Sequence, residues 1–346
     1  MLTKIGLDLG YANITLSDIS AGIYREPSIA LVDKETRRII SVGTAAGSED
    51  ATPGSILVRP FKNGLLFDGK ITRGVIESAI SAVRPAEKIR CIIATPSSLL
   101  AKQEKEIFDM LEESGVSESF SVYRSVAALI GAGYSPDMSA ISVNIGAKKT
   151  EVTVMYQGKV HSTVCDNVGG EDFDKAVKDY ILAQGDVNIS LSVAKAIKEH
   201  LGAVWSGRVT EPIDIEGTLS LTGNRVKMSV SDEDIVGVFE KPVHAVLKTV
   251  ADTVKKIPFE MVEEIFRNGI ILTGGGAELY GLDLMMNKVL GIPVTKPKDA
   301  IDSVAKGLAR INSFIPARMR TNKKNITHQL VKYYATKQQQ QDKKRD

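Results

Sequence analysis

The chain has 346 residues, of which 43% are hydrophobic and 25% are charged, and its formal net charge is +2. This length is too great for one simple core and fits two domains of a globular protein with an ordinary apolar fraction. From Arg318 onward nine Lys or Arg residues stand against two Asp, so this stretch carries +7 and the rest of the chain −5. The split predicts a basic tail and argues against a body that binds nucleic acid.

The cysteines and the apolar runs bear on the cellular compartment. Cys91 and Cys165 both lie in strand-like runs, which predicts buried thiols in a reducing cytoplasm and no disulfide. No segment approaches the roughly 20 apolar residues of a membrane span, and residues 1–4 lead into the first predicted strand without a signal-peptide pattern. We therefore expect a soluble, cytoplasmic protein.

In the first half of the chain, strands and helices alternate around a turn-rich insertion. The predicted elements are a strand-rich stretch over 4–17, a strand at 27–32, an irregular subdomain over 33–63, a helix over 71–80 capped by Thr72, a strand at 91–94, helices at 101–113 and 126–130, and strands over 141–156 and 160–164. The last strands repeat the layout of the first meander, which predicts two structurally similar halves.

The second half of the chain is richer in helical periodicity. The predicted elements are helices at 173–182 and 192–201, polar hairpins over 209–230, one or two helices over 232–256 with a break at Pro258, a strand at 269–273, a helix at 282–290, a strand at 292–294 and a helix at 303–311. Alternation of strands and helices in both halves predicts an α/β protein.

Three glycine-bearing turns, over residues 5–13, 144–150 and 272–277, each follow a short apolar run of β type. Glycine lets backbone N–H groups approach a phosphate closely, and a strand followed by a tight turn brings such donors to one point without a cationic side chain. One turn of this kind means little, but three at wide intervals predict a nucleotide held between two halves.

The three turns in this order resemble the ATP-binding superfamily of actin, heat-shock chaperones and sugar kinases. Further motifs, which resemble the bacterial actin MreB family over about residues 4–312, are Glu-Pro-Ser-Ile-Ala at 26–30, Thr-Pro-Gly at 52–54, Arg-Pro-Phe-Lys-Asn-Gly at 59–64, Ile-Gly-Ala-Gly at 130–133, Gly-Gly-Glu-Asp-Phe-Asp at 169–174 and Gly-Ile-Pro-Val at 291–294. The resemblance implies an actin-like α/β fold with two lobes and four subdomains. It divides the chain into subdomain IA (1–32 and 64–140), IB (33–63), IIA (141–182 and 262–315), IIB (183–261) and a basic C-terminal tail (316–346).

The same resemblance implies that ATP and Mg²⁺ are bound between the lobes. Asp8 would hold the Mg²⁺ through water, as the carboxylate of the first turn. The residues implied to bind the nucleotide are Gly10, Tyr11, Ala12 and Asn13 in the first phosphate turn, Gly146, Ala147, Lys148, Lys149 and Thr150 in the second, Gly170, the pair Lys198 and Glu199 around ribose and adenine, and Gly274, Gly275, Gly276 and Ala277 along the adenosine and α-phosphate.

Two family positions that serve hydrolysis are changed in this chain. The resemblance places Arg124 where the family has a water-orienting acid and Asn144 where it has an Asp, and arginine cannot accept a proton. Arg124 would instead point to solvent if the alignment shifts by one residue, and Asn144 would cap its turn as well as Asp does. Added positive charge strengthens phosphate binding without positioning water, so we expect ATP to be bound and turned over slowly. Loss of nucleotide binding altogether is the alternative.

The function implied by the resemblance is that of a cytoskeletal filament protein that organises cell shape, with weak or absent ATPase activity. An ordinary filament ATPase and a non-polymerising regulator of a conventional homologue are the alternatives. The expected partners are further copies of the chain in head-to-tail contacts that do not close, and homologous bacterial actins. A chaperone or sugar kinase is disfavoured because the sequence shows no peptide-binding domain and no sugar-site signature.

Membrane contact at the inner face of the cell membrane is a further expectation with two candidate devices. Leu99 and Leu100 would form an exposed apolar pair in a loop, or would open a buried helix. In the tail, Ile326, Leu330, Tyr333 and Tyr334 follow helical spacing among lysines, which fits a basic amphipathic helix at an anionic bilayer or a partly disordered, solubilising tail.

Overall fold

The structure is a computed structural model that describes residues 2–18, 22–48, 53–62, 65–66, 68–82, 88–316 and 322–342. Its strands are β1 Leu2–Leu9, β2 Asn13–Asp18, β3 Gly22–Pro27, β4 Ala30–Asp33, β5 Ile39–Val42, β6 Ser55–Val58, β7 Phe61–Lys62, β8 Leu65–Leu66, β9 Lys88–Thr95, β10 Glu118–Tyr123, β11 Ala140–Ile145, β12 Thr150–Tyr156, β13 Lys159–Asp166, β14 Val187–Asn188, β15 Ile213–Leu219, β16 Arg225–Val230, β17 Ile270–Thr273, β18 Val294–Thr295 and β19 Lys324–Asn325.

The helices are α1 Gly43–Ser48, α2 Gly69–Ser81, α3 Ala101–Glu113, α4 Arg124–Gly131, α5 Gly170–Gly185, α6 Leu191–Leu201, α7 Glu240–Val254, α8 Phe259–Asn268, α9 Leu282–Leu290, α10 Ser303–Phe314 and α11 Leu330–Asp342. Short 3₁₀ turns lie at Glu233–Ile235, Gly275–Glu278, Ala300–Asp302 and Thr327–Gln329. Of the sequence motifs, Thr52, Asn63 and Gly64 lie outside the described residues, as do tail residues 317–321 and 343–346.

Two large sheets form the two halves of the molecule, and their topologies correspond. The first has the order β19-β10-β9-β1-β2-β3 and the second β13-β12-β11-β17-β18. In each, three sequential strands form an antiparallel meander and parallel strands extend the sheet from the first strand of that meander. The predicted similarity of the two halves is confirmed. We call the half built on the first sheet lobe I and the half built on the second lobe II.

Each lobe carries a smaller three-stranded sheet, β5-β4-β6 in lobe I and β14-β15-β16 in lobe II. Two predicted boundaries differ from the observed sheets. β4 was expected to close the first subdomain, yet it pairs with β5 and β6, so the small sheet of lobe I begins at Ala30. α7 was expected in the second small subdomain, but it packs on β12 and β13 of the large sheet.

The helices α4 and α10 cross between the lobes at very close range. A Cβ atom placed on Gly131 would stand 1.7 Å from the carbonyl oxygen of Ser303, and one placed on Gly307 would stand 1.7 Å from that of Ala127. Glycine at both positions therefore lets the two backbones touch. Around this crossing lies an apolar cluster with members from both lobes, among them Phe120 of β10 and Ile271 of β17, so the crossing connects the cores of the two halves.

The described part of the tail, residues 322–342, packs on lobe I. β19 pairs in parallel with the outer strand β10, and Lys323 beside it donates to Asp109 and Glu112 of α3, at 2.7 Å each. Ile326 is fully buried, and the Tyr334 ring packs on Phe314 with centroids 5.2 Å apart. The apolar residues of the tail thus face the protein, contrary to the interpretation of a helix that presents them to a bilayer.

Several smaller expectations were wrong or only partly right. The N-cap of α2 is Asp68, whose side chain accepts two backbone N–H groups, while Thr72 lies inside the helix. Leu99 packs against the core of lobe I, and only Leu100 is exposed, at 62%, so the two leucines do not form an exposed pair. Cys91 is buried as predicted, but Cys165 is only partly buried. No described helix is long and apolar enough to cross a membrane.

Candidate functional site

The second and third glycine turns lie against each other at the end of the lobe II sheet. β11 and β17 are parallel neighbours, so the turns that follow them leave the sheet at the same edge. Gly274 has a φ of +88°, and a Cβ atom there would stand 2.4 Å from the carbonyl oxygen of Ile145. Glycine is therefore required at this position by the protein's own backbone, before any ligand is considered.

The N-terminus of α5 completes this edge of lobe II. The Gly170 N–H donates to the carbonyl oxygen of Gly146 at 2.9 Å, and the Glu171 N–H donates to that of Ala147 at 2.8 Å. The first turn of a 16-residue helix is thereby fixed against the second glycine turn. Helix N-termini attract anions, so this arrangement places a favourable field beside the turn.

A contact between the lobes joins the first turn to the second, and we call it the Tyr11 clasp (Tyr11, Arg59, Lys148 and Glu171). The Lys148 ammonium lies 5.2 Å from the centre of the Tyr11 ring and donates to Glu171 at 2.6 Å. Arg59 donates to the Tyr11 carbonyl oxygen at 3.0 Å and lies over the same ring at 4.9 Å. Burial, the charge of Glu171 and a hydrogen bond to it raise the pKa of Tyr11. The clasp thus brings the first and second glycine turns together across the two lobes.

Of the predicted pair on α6, one residue faces the cleft and one does not. Lys198 donates to the Gly170 carbonyl oxygen at 3.2 Å and pairs with Asp174 at 2.7 Å, and burial raises the pKa of Asp174 despite this lysine. Glu199 is 61% exposed and pairs with Lys195 on its own helix, at 3.6 Å. The side chain of Glu199 therefore lies outside the group of contacts that Lys198 makes.

Arg124 is bound to Asp8, the residue predicted to hold the metal ion. Its Nε and Nη2 atoms donate to one carboxylate oxygen of Asp8 at 3.0 and 2.9 Å, and Nη2 also donates to the Leu9 carbonyl oxygen at 3.3 Å. The two side chains are only 19% and 18% exposed. Burial alone would lower the pKa of Arg124, but the carboxylates of Asp8 and Glu151 raise it on balance. Arg124 therefore points into the cleft, and the alternative that it faces solvent is wrong.

Glu151 is a buried carboxylate at the site that was not singled out in the sequence. Its oxygens accept from the backbone N–H groups of Ser97 and Ser125, both at 3.3 Å, and Cys165 Sγ lies 3.5 Å away. It follows the second turn in β12 and is almost fully buried. A charged residue within the strand run Thr-Glu-Val-Thr-Val is the signal that could have identified it, since buried charges are paired or functional.

The Asn144 side chain, near the end of β11, bonds to the neighbouring strand β17. Its Nδ2 atom donates to Thr273 Oγ1 at 3.0 Å, which links β11 to β17 just before their turns. The side chain is buried. The alternative that Asn144 supports its turn is therefore consistent with the observed contact.

The other predicted residues divide into two groups. Gly10, Ala12, Asn13, Ala147, Lys149, Gly275 and Gly276 lie in the three turns themselves. Thr150 and Ala277 are fully buried, and Thr150 Oγ1 donates to the Val168 carbonyl oxygen at 2.8 Å. These two residues support the turns from behind.

Comparison with known proteins agrees with this architecture. A family model described as MreB/Mbl protein matches residues 2–319. The cell shape-determining protein Mbl of Bacillus cereus is 29% identical over 312 residues, which cover 88% of this chain and 93% of that protein.

Solved structures show the same fold. MreB5 of Spiroplasma citri bound to ADP superposes with a TM-score of 0.84 at 22% identity, over 90% of this chain and 97% of that one. The MamK double helical filament gives a TM-score of 0.79 at 20% identity, over 91% and 100%. The predicted actin-like fold is thereby confirmed, and the chain belongs to the MreB/Mbl family.

Proposed function

We propose that this chain binds an adenine nucleotide between its lobes, assembles into filaments that organise cell shape, and hydrolyses ATP slowly or not at all. The single observation that carries the claim of slow or absent hydrolysis is the contact in which two N–H groups of Arg124 donate to one carboxylate oxygen of Asp8. Relatives support the rest: the family includes cell shape-determining proteins, MreB5 of Spiroplasma citri was crystallised with ADP, and MamK forms a double helical filament.

The residues of the cleft fit a nucleotide. The nearest heavy atom to a Cβ placed on Gly275 is Ile301 Cδ1 at 3.8 Å, and on Gly170 it is Lys198 Nζ at 3.5 Å, so the backbone is open to approach at both positions. Lys148, Lys149 and Lys198 supply positive charge around the second turn and the N-terminus of α5. Together with backbone N–H groups these lysines would hold the phosphates, and Gly274 to Gly276 would lie along the adenosine.

The same cleft is poorly equipped to activate water. A water molecule that attacks the γ-phosphate must be oriented by an acceptor, and at the position implied for that acceptor the chain has a guanidinium, which only donates. The pair of Arg124 and Asp8 also neutralises the carboxylate of the first turn and occupies one of its two oxygens. Arg124 would thus allow the cleft to bind ATP while preventing its hydrolysis.

Mg²⁺ does not fit the Asp8 carboxylate as the structure shows it. A hydrated Mg²⁺ is held through carboxylates and substrate phosphates, whereas the single negative charge of Asp8 is already neutralised by the Arg124 guanidinium, which is bound to its Oδ1 atom. We therefore assign no step to a metal ion at Asp8.

Phosphate release from Mg-ATP, measured beside a binding titration with a fluorescent ATP analogue, tests the proposal. The wild-type chain is expected to bind without steady release, and the double variant Arg124→Glu, Asn144→Asp to release phosphate. Arg225→Glu, at an exposed position on β16, is the matched control and should behave as the wild type. Steady release by the wild-type chain would contradict impaired hydrolysis, and failure to bind the analogue would contradict nucleotide binding.

An ordinary filament ATPase is the second candidate, and Glu151 is the observation that favours it. This buried carboxylate lies close enough to Arg124 to raise its pKa, and it would be the remaining acceptor for a water molecule. If the wild-type chain releases phosphate, Glu151→Gln should abolish release without abolishing binding.

We propose self-assembly by head-to-tail contacts and residence in the cytoplasm, with peripheral contact at the membrane. Heterologous contacts that do not close give open filaments, which sedimentation and electron microscopy would detect. The exposed Leu100 side chain is the part of the predicted apolar pair that a bilayer could reach. Flotation with anionic vesicles, compared between the wild-type chain and Leu100→Ser, tests this contact, and equal flotation would exclude Leu100 as the device.

A further inference from the structure

The positive and negative side chains around the cleft are nearly equal in number, but the two lobes differ in which residues they pair. Lys148 pairs with Glu171 and Lys198 with Asp174, both within lobe II. Arg124 pairs with Asp8 across lobe I, between the start of α4 and the end of β1. Arg124 therefore neutralises the carboxylate of the first turn, whereas Arg59 and Lys148 contact Tyr11 of the same turn.

The chemistry of arginine makes this cation permanent. A guanidinium stays charged at any pH a protein tolerates, and it has five N–H donors in a planar fork. The contacts to Asp8 and Leu9 employ Nε and Nη2, and the Nη1 edge of the fork carries two more donors. Charged donors of this kind form short, strong hydrogen bonds with phosphate oxygens.

A divalent cation would compete with Arg124 for one carboxylate. Asp8 has a single negative charge, which Arg124 already neutralises. In this partly buried setting, solvent only weakly screens the repulsion between the guanidinium and a divalent cation. A metal ion held through Asp8 would have to displace the guanidinium or lie next to it. Either arrangement is unfavourable, whereas a phosphate group gains from the guanidinium without displacing a metal.

We propose that Arg124 serves as the built-in counter-cation of the nucleotide phosphates, so that this cleft binds its nucleotide without a divalent metal. The inference rests on the proposed nucleotide binding and specifies its metal requirement. Asp8 then acts as a positioning residue, which holds the guanidinium at the first turn.

The test is a titration with a fluorescent ATP analogue in millimolar Mg²⁺ and in EDTA at matched ionic strength. The wild-type Kd is expected to agree within about threefold between the two conditions. Arg124→Gln should weaken binding in EDTA by about tenfold to a hundredfold, the loss expected for one charge-assisted contact, and Mg²⁺ should recover part of it. Arg225→Glu is the control for a general change in surface charge.

The variant Asp8→Asn provides a second test, which remains valid even if the Arg124 variants do not fold. Its expected change in nucleotide affinity differs from that of a metal-dependent cleft. In a metal-dependent cleft this change weakens binding in Mg²⁺, whereas here it removes a negative charge while the amide oxygen can still accept from Arg124 and hold it in place, so binding in EDTA should be unchanged or tighter. Binding by the wild-type chain only in Mg²⁺, or weaker binding by Asp8→Asn in EDTA, would overturn the inference alone. Absence of binding in both conditions would overturn the proposed nucleotide binding and the inference with it.

Discussion

Replacing Gly307 by Ala tests the close crossing of α4 and α10. The added methyl group would stand 1.7 Å from the Ala127 carbonyl oxygen, where ordinary contact begins at 3.4 Å, so the helices must separate by roughly half of that contact distance. The atom in the way belongs to the backbone of α4, which cannot rotate out of the way as the end of a flexible side chain would. A gap of 0.5–1 Å already forfeits about a quarter to a half of each dispersion contact, and the cluster around the crossing is fully buried. Overpacking of this kind costs about 1–3 kcal/mol.

Thermal melting followed by circular dichroism measures this effect. With about 2.1 cal/mol/K of unfolding entropy per residue and 346 residues, 1 kcal/mol corresponds to roughly 1.4 °C, so Gly307→Ala should lower Tm by about 1–4 °C. Gly185→Ala is the matched control, because Gly185 is also helical and its nearest neighbour to a new Cβ is Val187 at 3.5 Å. There helix propensity should give a gain of about 0.5–1 kcal/mol. Equal Tm values for the two variants would refute the crossing argument.

Asp68→Ala should destabilise the protein by about 1 kcal/mol, because the Asp68 side chain accepts two N–H groups at the start of α2, whereas Asp68→Asn should keep the cap; urea titrations of both variants separate the outcomes. Hydrogen bonding to Lys323 lowers the pKa of Asp109 from 3.8, and hydrogen bonding to Asp109 and Glu112 raises the pKa of Lys323 from 10.5. The contribution of Asp109 to tail docking is fully present above pH 3.8 and disappears as pH falls through its lowered pKa. The contribution of Lys323 is fully present below pH 10.5 and disappears as pH rises through its raised pKa. The Tm difference between the wild type and Lys323→Ala should therefore be largest between these limits and vanish outside them; a difference that persists at both extremes would contradict the pairing. Burial raises the pKa of both Cys91 and Cys165, so at pH 8 Cys165 should react slowly with a disulfide reagent and Cys91 only in denaturant; rapid reaction of two thiols in the native protein would contradict their placement.

Elements with strong local signals could be predicted from the sequence, sometimes to the residue. The predicted helices at 101–113 and 282–290 coincide with α3 and α9, because apolar spacing defines their buried faces and Gly291, with a φ of +67°, ends α9. The helix α8 was missed, since Pro258 was interpreted only as a break. Proline is also tolerated at the start of a helix, and α8 begins at the next residue.

The candidate site could be predicted in its turns but not in its side-chain contacts. The glycine turns are local features of strand, turn and strand, whereas the pair of Arg124 and Asp8 joins residues 116 positions apart. Whether Arg124 faces the cleft or solvent depends on how α4 is oriented, and the crossing with α10 near position 307 sets that orientation. The Tyr11 clasp likewise spans both lobes, so no local pattern indicates it.

The sheet of lobe I contains residues from both far ends of the described chain, which bears on the order in which the protein folds. β1 lies at its centre, α10 packs on β1, and β19 forms its edge. The Asn312 Nδ2 atom donates to the Ile5 carbonyl oxygen at 2.8 Å across 307 positions. Lobe II is nearly contiguous in sequence, and contacts between distant positions form slowly. On the ribosome, β1 will therefore remain partly uncovered until α10 has been synthesised.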